Sequence, residues 1–574
     1  MGQVKIHHLD VYPDKAQYHP REQGSIIVEI AGNQEAMIQI KVSFKRLHQL
    51  EWEEKMEIYL EKAIFKQISI PFEVPNEIWE GFGVNIQLFA NGKYLAQKST
   101  AWDVVDHWRR APRYGFLSDF HQDEKGQLND VDSLNKFHLN IIQFYDWMYR
   151  HDNMIPPAEN FVDPMGRTLS YPVVREKINA LHEKGMAALA YGAVYASLKD
   201  FHEQHKEWGL YKNNGDPYHL IDIFYIMDIS PDSPWNKHMI SEFRKVMEEG
   251  FDGIHMDQYG FPKKAFRHVN GRKELVDLAN CYPALINQTK KHLKEVNAEV
   301  GLIFNNVSNY PVHTTAKADQ DAIYIEVWPP VIHLRELKAL IDRGRELSDD
   351  KHVILSAYLP SFKQTEGYDQ YDQTAAENGA LLTMATIFAS GGYHLLIGEE
   401  NKVLTEAYYP SYGTMSNIFI EEVRKYYDFI VRYGKLLYDH QLVDLSFVYT
   451  GGINTEISFQ GEAAYTPNGD VNTVWTMVKQ LPDYQIIHLI NLVGLEDDYW
   501  EHGKKQRPKK QKEITCTVLI EKEVNGVYLA SPDFENTEPI KLNDQIVSHE
   551  HGKAIQFTIP TLSIWDMVYI EFVQ

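Results

Sequence analysis

Between about residues 110 and 440, short apolar strands alternate with helix-like stretches, and this rhythm leaves few folds open to the chain. The strand candidates are RYGFLSDF (113–120), LNIIQFYDW (139–147), GMAALAYG (185–192), FDGIHMDQYG (251–260), VGLIFNN (300–306), AIYIEVWPP (322–330), HVILSAYLP (352–360) and GGYHLLIG (391–398). VVREKINALHEK (173–184) and HMISEFRKVMEE (238–249) are helix-like stretches between them. Strand–helix–strand units build parallel sheets, and eight of them predict a closed (β/α)8 TIM barrel. A ninth extended piece, IDIFYIMDIS (221–230), is read as an excursion after the third strand. A barrel of this kind carries its active site at the C-terminal ends of its strands.

The 574 residues exceed the roughly 250 of one barrel, so further domains are expected. SIIVEI (25–30), AMIQIKVSF (36–44) and GVNIQLFA (83–90) read as strands, and Asn91–Gly92 after the last is a hairpin signal. YQIIHLIN (484–491), ITCTVLIE (514–521) and SIWDMVYIEF (563–572) read as strands at the other end. The expected division is an N-terminal immunoglobulin-like β-sandwich over 1–105, the barrel over 106–440 and a C-terminal antiparallel β-sandwich over 441–574. The basic run KKQRPKKQK (504–512) is expected to be a solvated loop.

Net charge is −23, from 57 basic and 80 acidic residues, which argues against nucleic-acid or anionic-membrane partners. No apolar run of about 18 residues predicts a membrane span. The opening MGQVKIHHLD has no apolar h-region, so a cytoplasmic location is expected, a mature secreted form being the alternative. Cys281 and Cys516 offer neither a disulfide framework nor metal-ligand spacing, so they are expected to be buried free thiols. No metal or cofactor is expected, and oligomeric state is left open.

Two acids stand where a barrel presents catalytic groups. Asp257 lies near the end of the fourth strand, on one face with Gly253 and His255. Glu326 ends the apolar sixth strand, before Trp328 and two prolines. An acid there is costly to bury without purpose. Two strands apart on one rim, the pair can face each other across a cleft. Glycoside hydrolysis needs two such carboxylates, one to attack the anomeric carbon and one to protonate the leaving oxygen. Apolar neighbours fit Glu326 to be the acid, and polar ones fit Asp257 to stay ionised.

The sequence resembles glycoside hydrolase family 66, the dextranases and cycloisomaltooligosaccharide glucanotransferases. The resemblance rests on VYPDKAQYHPREQG (11–24), RYGFLSDF, QFYDWMYRHDNMIPP (143–157), FDGIHMDQYG, EVWP (326–329) and GGYHLLIGEENKVLTEAYYP (391–410). It implies that Asp257 is the nucleophile and Glu326 the acid/base. It also implies internal cleavage of α-1,6-glucan with retention. The cyclising members carry an inserted carbohydrate-binding module of about a hundred residues, by the same resemblance, and no such insertion is visible here. Hydrolysis is therefore expected over transglycosylation, and both over a non-catalytic sugar-binding protein. Asp119, Tyr145, Asp146, Trp147, Asn305 and His394 are expected to bind sugar hydroxyls or rings. Tyr191, Tyr195, Trp328 and Tyr409 are expected to be stacking platforms.

Overall fold

The computed structural model describes residues 4–363, 372–407 and 412–573. Eight strands form one parallel, nearly closed barrel sheet, and their order in space is their order in the chain. They are β1 (Tyr114–Leu117), β2 (Ile141–Phe144), β3 (Ala187–Ala193), β4 (Gly253–Asp257), β5 (Gly301–Val307), β6 (Ala322–Glu326), β7 (Val353–Ser356) and β8 (Gly392–His394). Each falls on one of the eight predicted segments. Both faces of such a sheet are covered, which is why β2, β4, β6 and β7 are buried at every position and read as nearly unbroken apolar runs.

The bottom of the barrel is closed by a fit between small and large residues. Gly253 of β4 pairs beside Gly301 of β5. A methyl on Gly253 would meet the Gly301 carbonyl at 2.1 Å, and one on Gly301 would meet the Trp108 ring at 2.5 Å. The indole of Trp108 occupies the room that Gly301 leaves, and the Gly301 carbonyl with Leu189 fills the room beside Gly253. The ninth extended piece lies outside the barrel, as expected. Phe224–Ile226 pairs with Ala196–Ser197 and His219–Leu220 in a small antiparallel sheet.

Antiparallel sheets flank the barrel in sequence on both sides. At the N-terminal side a three-stranded and a four-stranded sheet share one apolar core. The predicted hairpin joins Trp79–Ala90 to Lys93–Val105, with Ala90 opposite Lys93. Asn91 and Gly92 have φ of 48° and 74°, the positive values a tight two-residue turn demands. A buried ion pair of Arg113 with Asp103, at 2.6 Å, ties this part to the first barrel strand. After the barrel, two further sheets, antiparallel except where Ala464–Thr466 runs parallel to Thr473–Gln480, enclose a second core in which Cys516 is fully buried. Cys281 is buried too, and both thiols are free.

Two helices matter below: α1 (Leu334–Ser348), which follows β6, and α2 (Gln373–Ser390), which precedes β8. Every position of α2 from Asn378 to Ser390 is buried. A helix apolar all round must be covered all round. Part of the cover is the chain around 500–507, contrary to the expectation of a solvated loop. Lys504 donates its backbone N–H to Ala375 at 2.7 Å and accepts from Asn378 through its carbonyl at 3.1 Å. Its ammonium is buried against Asp497 and the Tyr499 carbonyl. Arg507 reaches Asn378 and Glu422. The buried charge of Lys504 is tolerated because its ammonium has fixed acceptors, while Arg507 is exposed. Lys505, Lys509 and Lys510 are exposed, as the solvated reading expects. Among the described residues, no helix is long and apolar enough to cross a membrane.

Candidate active site

At the C-terminal ends of the strands a cavity opens between the barrel and its loops. Asp257 and Glu326 both line it, only 9% and 7% exposed. Alternation along β4 sends His255 and Asp257 into the barrel together. His255 therefore lies one layer below Asp257, where its Nδ1 meets the Tyr114 hydroxyl at 2.7 Å.

Asn305, on β5 between the strands of the two acids, holds them together. Its Nδ2 donates to Asp257 Oδ1 at 2.7 Å and to Glu326 Oε2 at 3.0 Å. Those oxygens can be no farther apart than the two bonds laid end to end. That limit falls short of the ~6.5–9.5 Å that an inverting pair keeps open for a water. With both amide hydrogens committed, Asn305 has only Oδ1 left, a buried acceptor with no partner among the described residues. Tyr191, on β3, donates its hydroxyl to the other oxygen of Asp257 at 2.6 Å.

The two carboxyls are in different electrical settings. Burial pushes Asp257 up to about 6, against the pull of the Tyr191 and Asn305 donors and the Gln258 backbone. Burial and then the charge of Asp257 push Glu326 up to about 7, while Asn305, Trp328 and Tyr358 act the other way. Near pH 6–7 the pair thus favours an ionised Asp257 beside a protonated Glu326, the division of labour a nucleophile and an acid require.

Activity should then fall below pH about 6 as Asp257 gains a proton and above about 7 as Glu326 loses one. Removing the phenol in Tyr191→Phe takes away a bond to the charged form of Asp257. Its pKa rises, so the acidic limb of kcat/KM should move up by about one pH unit while the basic limb stays. A pH–rate profile of the variant checks this; movement of the basic limb instead would contradict the assignment.

Asp146 follows β2 with φ of 47° and lines the cavity. Burial pushes its carboxyl up to about 7, Arg167 opposing and Asp163 and Asp257 reinforcing. The Arg167 guanidinium lies 3.8 Å from its Oδ2. Tyr145 and Trp328 are half-buried in the cavity lining, and the Tyr145 ring packs on Tyr191 at 4.7 Å. Leu220, Ile221 and Phe224 bring the excursion after β3 to the cavity mouth.

Other predicted contacts lie elsewhere. Trp147 is fully buried behind β3, its Nε1 donating to the Tyr191 carbonyl at 3.2 Å. Tyr195 is fully buried as well, its hydroxyl donating to the Phe261 carbonyl and accepting from the Tyr259 backbone. His394 is buried against the Ala357 carbonyl at 2.8 Å, outside the cavity lining. Asp119 is exposed, and its side chain accepts from His121 N at 3.1 Å. Tyr191 lines the cavity as a hydrogen-bond donor to Asp257. Tyr409 lies outside the described residues.

The sequence reading passed over Glu399, Gln143, Tyr324 and Tyr358. Glu399 is buried and accepts from the backbone N–H groups of Ser118 and Asp119, joining the exit of β1 to the loop after β8. That loop brings Leu404 and Glu406 to the cavity. Gln143 points in from β2, its Oε1 buried and without a partner among the described residues. Inward positions of β2, β6 and the segment after β7 could have flagged Gln143, Tyr324 and Tyr358 by alternation alone.

A model described as glycosyl hydrolase family 66 matches residues 13–569. A cycloisomaltooligosaccharide glucanotransferase of Niallia circulans is 24% identical, over 98% of this chain and 72% of its own length. A dextranase of Streptococcus salivarius is 24% identical, over 84% of this chain and 66% of its own. The crystal structure of a Paenibacillus cycloisomaltooligosaccharide glucanotransferase, complexed with cycloisomaltoheptaose, superposes with a TM-score of 0.89 at 22% identity. That match covers 97% of this chain and 99% of the other. At such identity the likeness shows the fold.

Proposed function

The chain belongs to glycosyl hydrolase family 66 and is a glycoside-active enzyme, and from that premise we propose that it cleaves α-1,6-glucosidic bonds within glucan chains with retention of configuration. The observation that carries this reading is the single amide nitrogen of Asn305 bonded to both carboxylates. Asp257 attacks the anomeric carbon as the bond to the leaving O6 breaks, and Glu326 gives that oxygen its proton. A β-linked glucosyl ester on Asp257 results. Glu326, now ionised, takes a proton from water, which attacks the same carbon and releases the α-sugar. The α-1,6 linkage rests on the relatives' names, one a dextranase and the others cycloisomaltooligosaccharide glucanotransferases.

A second acceptor, a sugar hydroxyl in place of water, would make the enzyme a transglycosylase. The glucanotransferase relative favours that reading by matching nearly the whole chain. Against it, that alignment runs over 718 positions, more than the 574 residues here, so the relative carries internal stretches this chain lacks. This supports hydrolysis over cyclisation. Chromatography of products from dextran and from short isomaltooligosaccharides tests the choice: linear saccharides of decreasing length are expected, and cyclic products would overturn it. Proton NMR of the first product should show the α-anomer before mutarotation; an initial β-anomer would refute retention.

A further inference from the structure

Outside the cavity, the α1 helix and the C-terminal sheets enclose a groove of about 550 Å³, within the range of small-ligand sites. Its walls include Arg335 and Asp342 of α1, Phe447, and the turn Pro467–Asn468 with Asp470. Phe447, Pro467 and Asn468 also border a neighbouring depression of about 350 Å³. The Phe447 ring is thus a ridge between two adjoining hollows, and Phe447 is 64% exposed.

The parts are held in place. The fully buried indole of Trp475 donates to the Pro467 carbonyl at 3.0 Å. Gly469, with φ of 73°, packs on the same indole. Ser446 caps onto Asp444 at 2.6 Å, and Lys338 bridges Asp342 and Asp444 at 2.7 and 2.6 Å, fixing the turn that carries Phe447 to α1. Arg335 and Asp470 are each half exposed and 3.9 Å apart. Cation and carboxylates lie interspersed, so the groove presents no strong field of one sign. An exposed ring beside fixed hydroxyl-binding groups suits a neutral polyhydroxyl chain, whose apolar sugar faces stack on aromatics.

Position supports the same occupant. In a barrel the helix after a strand begins at the end where that strand finishes. Arg335 is the second residue of α1, and Glu326 ends β6, so the groove begins at the active-site end of the barrel.

We propose that this groove is a second binding site for glucan, holding a stretch of the same polymer away from the bond being cut. The proposal rests on the α-1,6-glucan reading above. It is tested with the full chain and its Phe447→Ala and Asp470→Ala variants, by native electrophoresis through gels with and without dextran and by kinetics on dextran and isomaltotriose. Phe447 is too exposed for its truncation to unsettle the fold. Both variants should lose much of the retardation by dextran and show a KM for dextran raised roughly 3–10-fold, with isomaltotriose kinetics unchanged. Variants retarded and saturated by dextran like the wild type would overturn the groove while leaving the activity intact. A wild type inert on both substrates would overturn the activity and the groove's ligand together. A change in solution mass of Phe447→Ala by light scattering, with dextran binding unchanged, would assign the exposed ring to self-association instead and also overturn the proposal.

Discussion

Replacing Asp257 by alanine is expected to abolish glucan cleavage, with a loss of at least ~10⁴-fold in kcat, the scale on which removal of a covalent nucleophile is felt. Among the described residues, the other carboxylates lining the cavity are Glu326, Asp146 and Glu406, and Glu406 is paired with Lys363 at 2.6 Å. Glu326 shares Asn305 with it, and once the charge of Asp257 is gone its pKa should fall, which leaves less acid to protonate the leaving oxygen. Asp146 has the Arg167 guanidinium 3.8 Å from its Oδ2, and burial raises its pKa toward the neutral acid. The sharper result is stereochemical. Given a glucosyl donor with a good leaving group, such as an α-fluoride, azide can enter the space left by the Asp257 side chain. It displaces the leaving group directly and inverts the centre, so the isolated product should be the β-azide. Wild-type-like turnover of dextran by this variant would remove Asp257 from the mechanism.

Glu326→Ala should lower dextran cleavage by about 10²–10⁴-fold, because the departing sugar oxygen then leaves without a proton. The same variant should form the glucosyl ester at near-normal rate from an activated aryl or fluoride α-glucoside, whose leaving group needs no help. Hydrolysis of that ester becomes slow, since water has lost its base. Azide requires none. It should accelerate turnover and give the α-azide by attack on the β-linked ester. The two variants therefore yield opposite anomers with one reagent, and finding them exchanged would exchange the roles of the two residues. Rate measurements with and without azide, and NMR of the isolated azides, provide both readouts.

The barrel was legible because its strands are buried on both faces, so that each leaves an apolar run in the sequence. The two acids were legible for the same reason, since a charge at the end of such a run stands out. Side-chain direction past the end of a strand was less so. Tyr191 and Tyr195 are four residues apart and look alike in sequence, yet Tyr191 lies within β3 and reaches Asp257, while Tyr195 lies beyond it and bonds to Phe261. Trp147 follows Asp146 directly but turns behind the sheet, Asp146 itself having a positive φ. Asn305 was expected to touch sugar. Its bond to both acids at once depends on three strands lying side by side, which no single stretch of sequence records. The packing of the start of the basic run was hidden because the Lys504 backbone and the Arg507 side chain find partners in α2 and in the helix that carries Glu422, far away in the chain.

The burial of α2 bears on how such an enzyme can be inherited. Its apolar surface is covered partly by the barrel and partly by chain that follows the barrel, and one continuous core runs from β8 through Trp475, Ile486 and Trp565. The barrel is therefore not a portable cassette. A recombination event that carried it off at its last strand would uncover part of α2, so barrel and following sheets are packed to be exchanged together. The loops around the cavity carry no such obligation. Variation between lineages has room to accumulate there, and in segments inserted among them, while the scaffold travels whole.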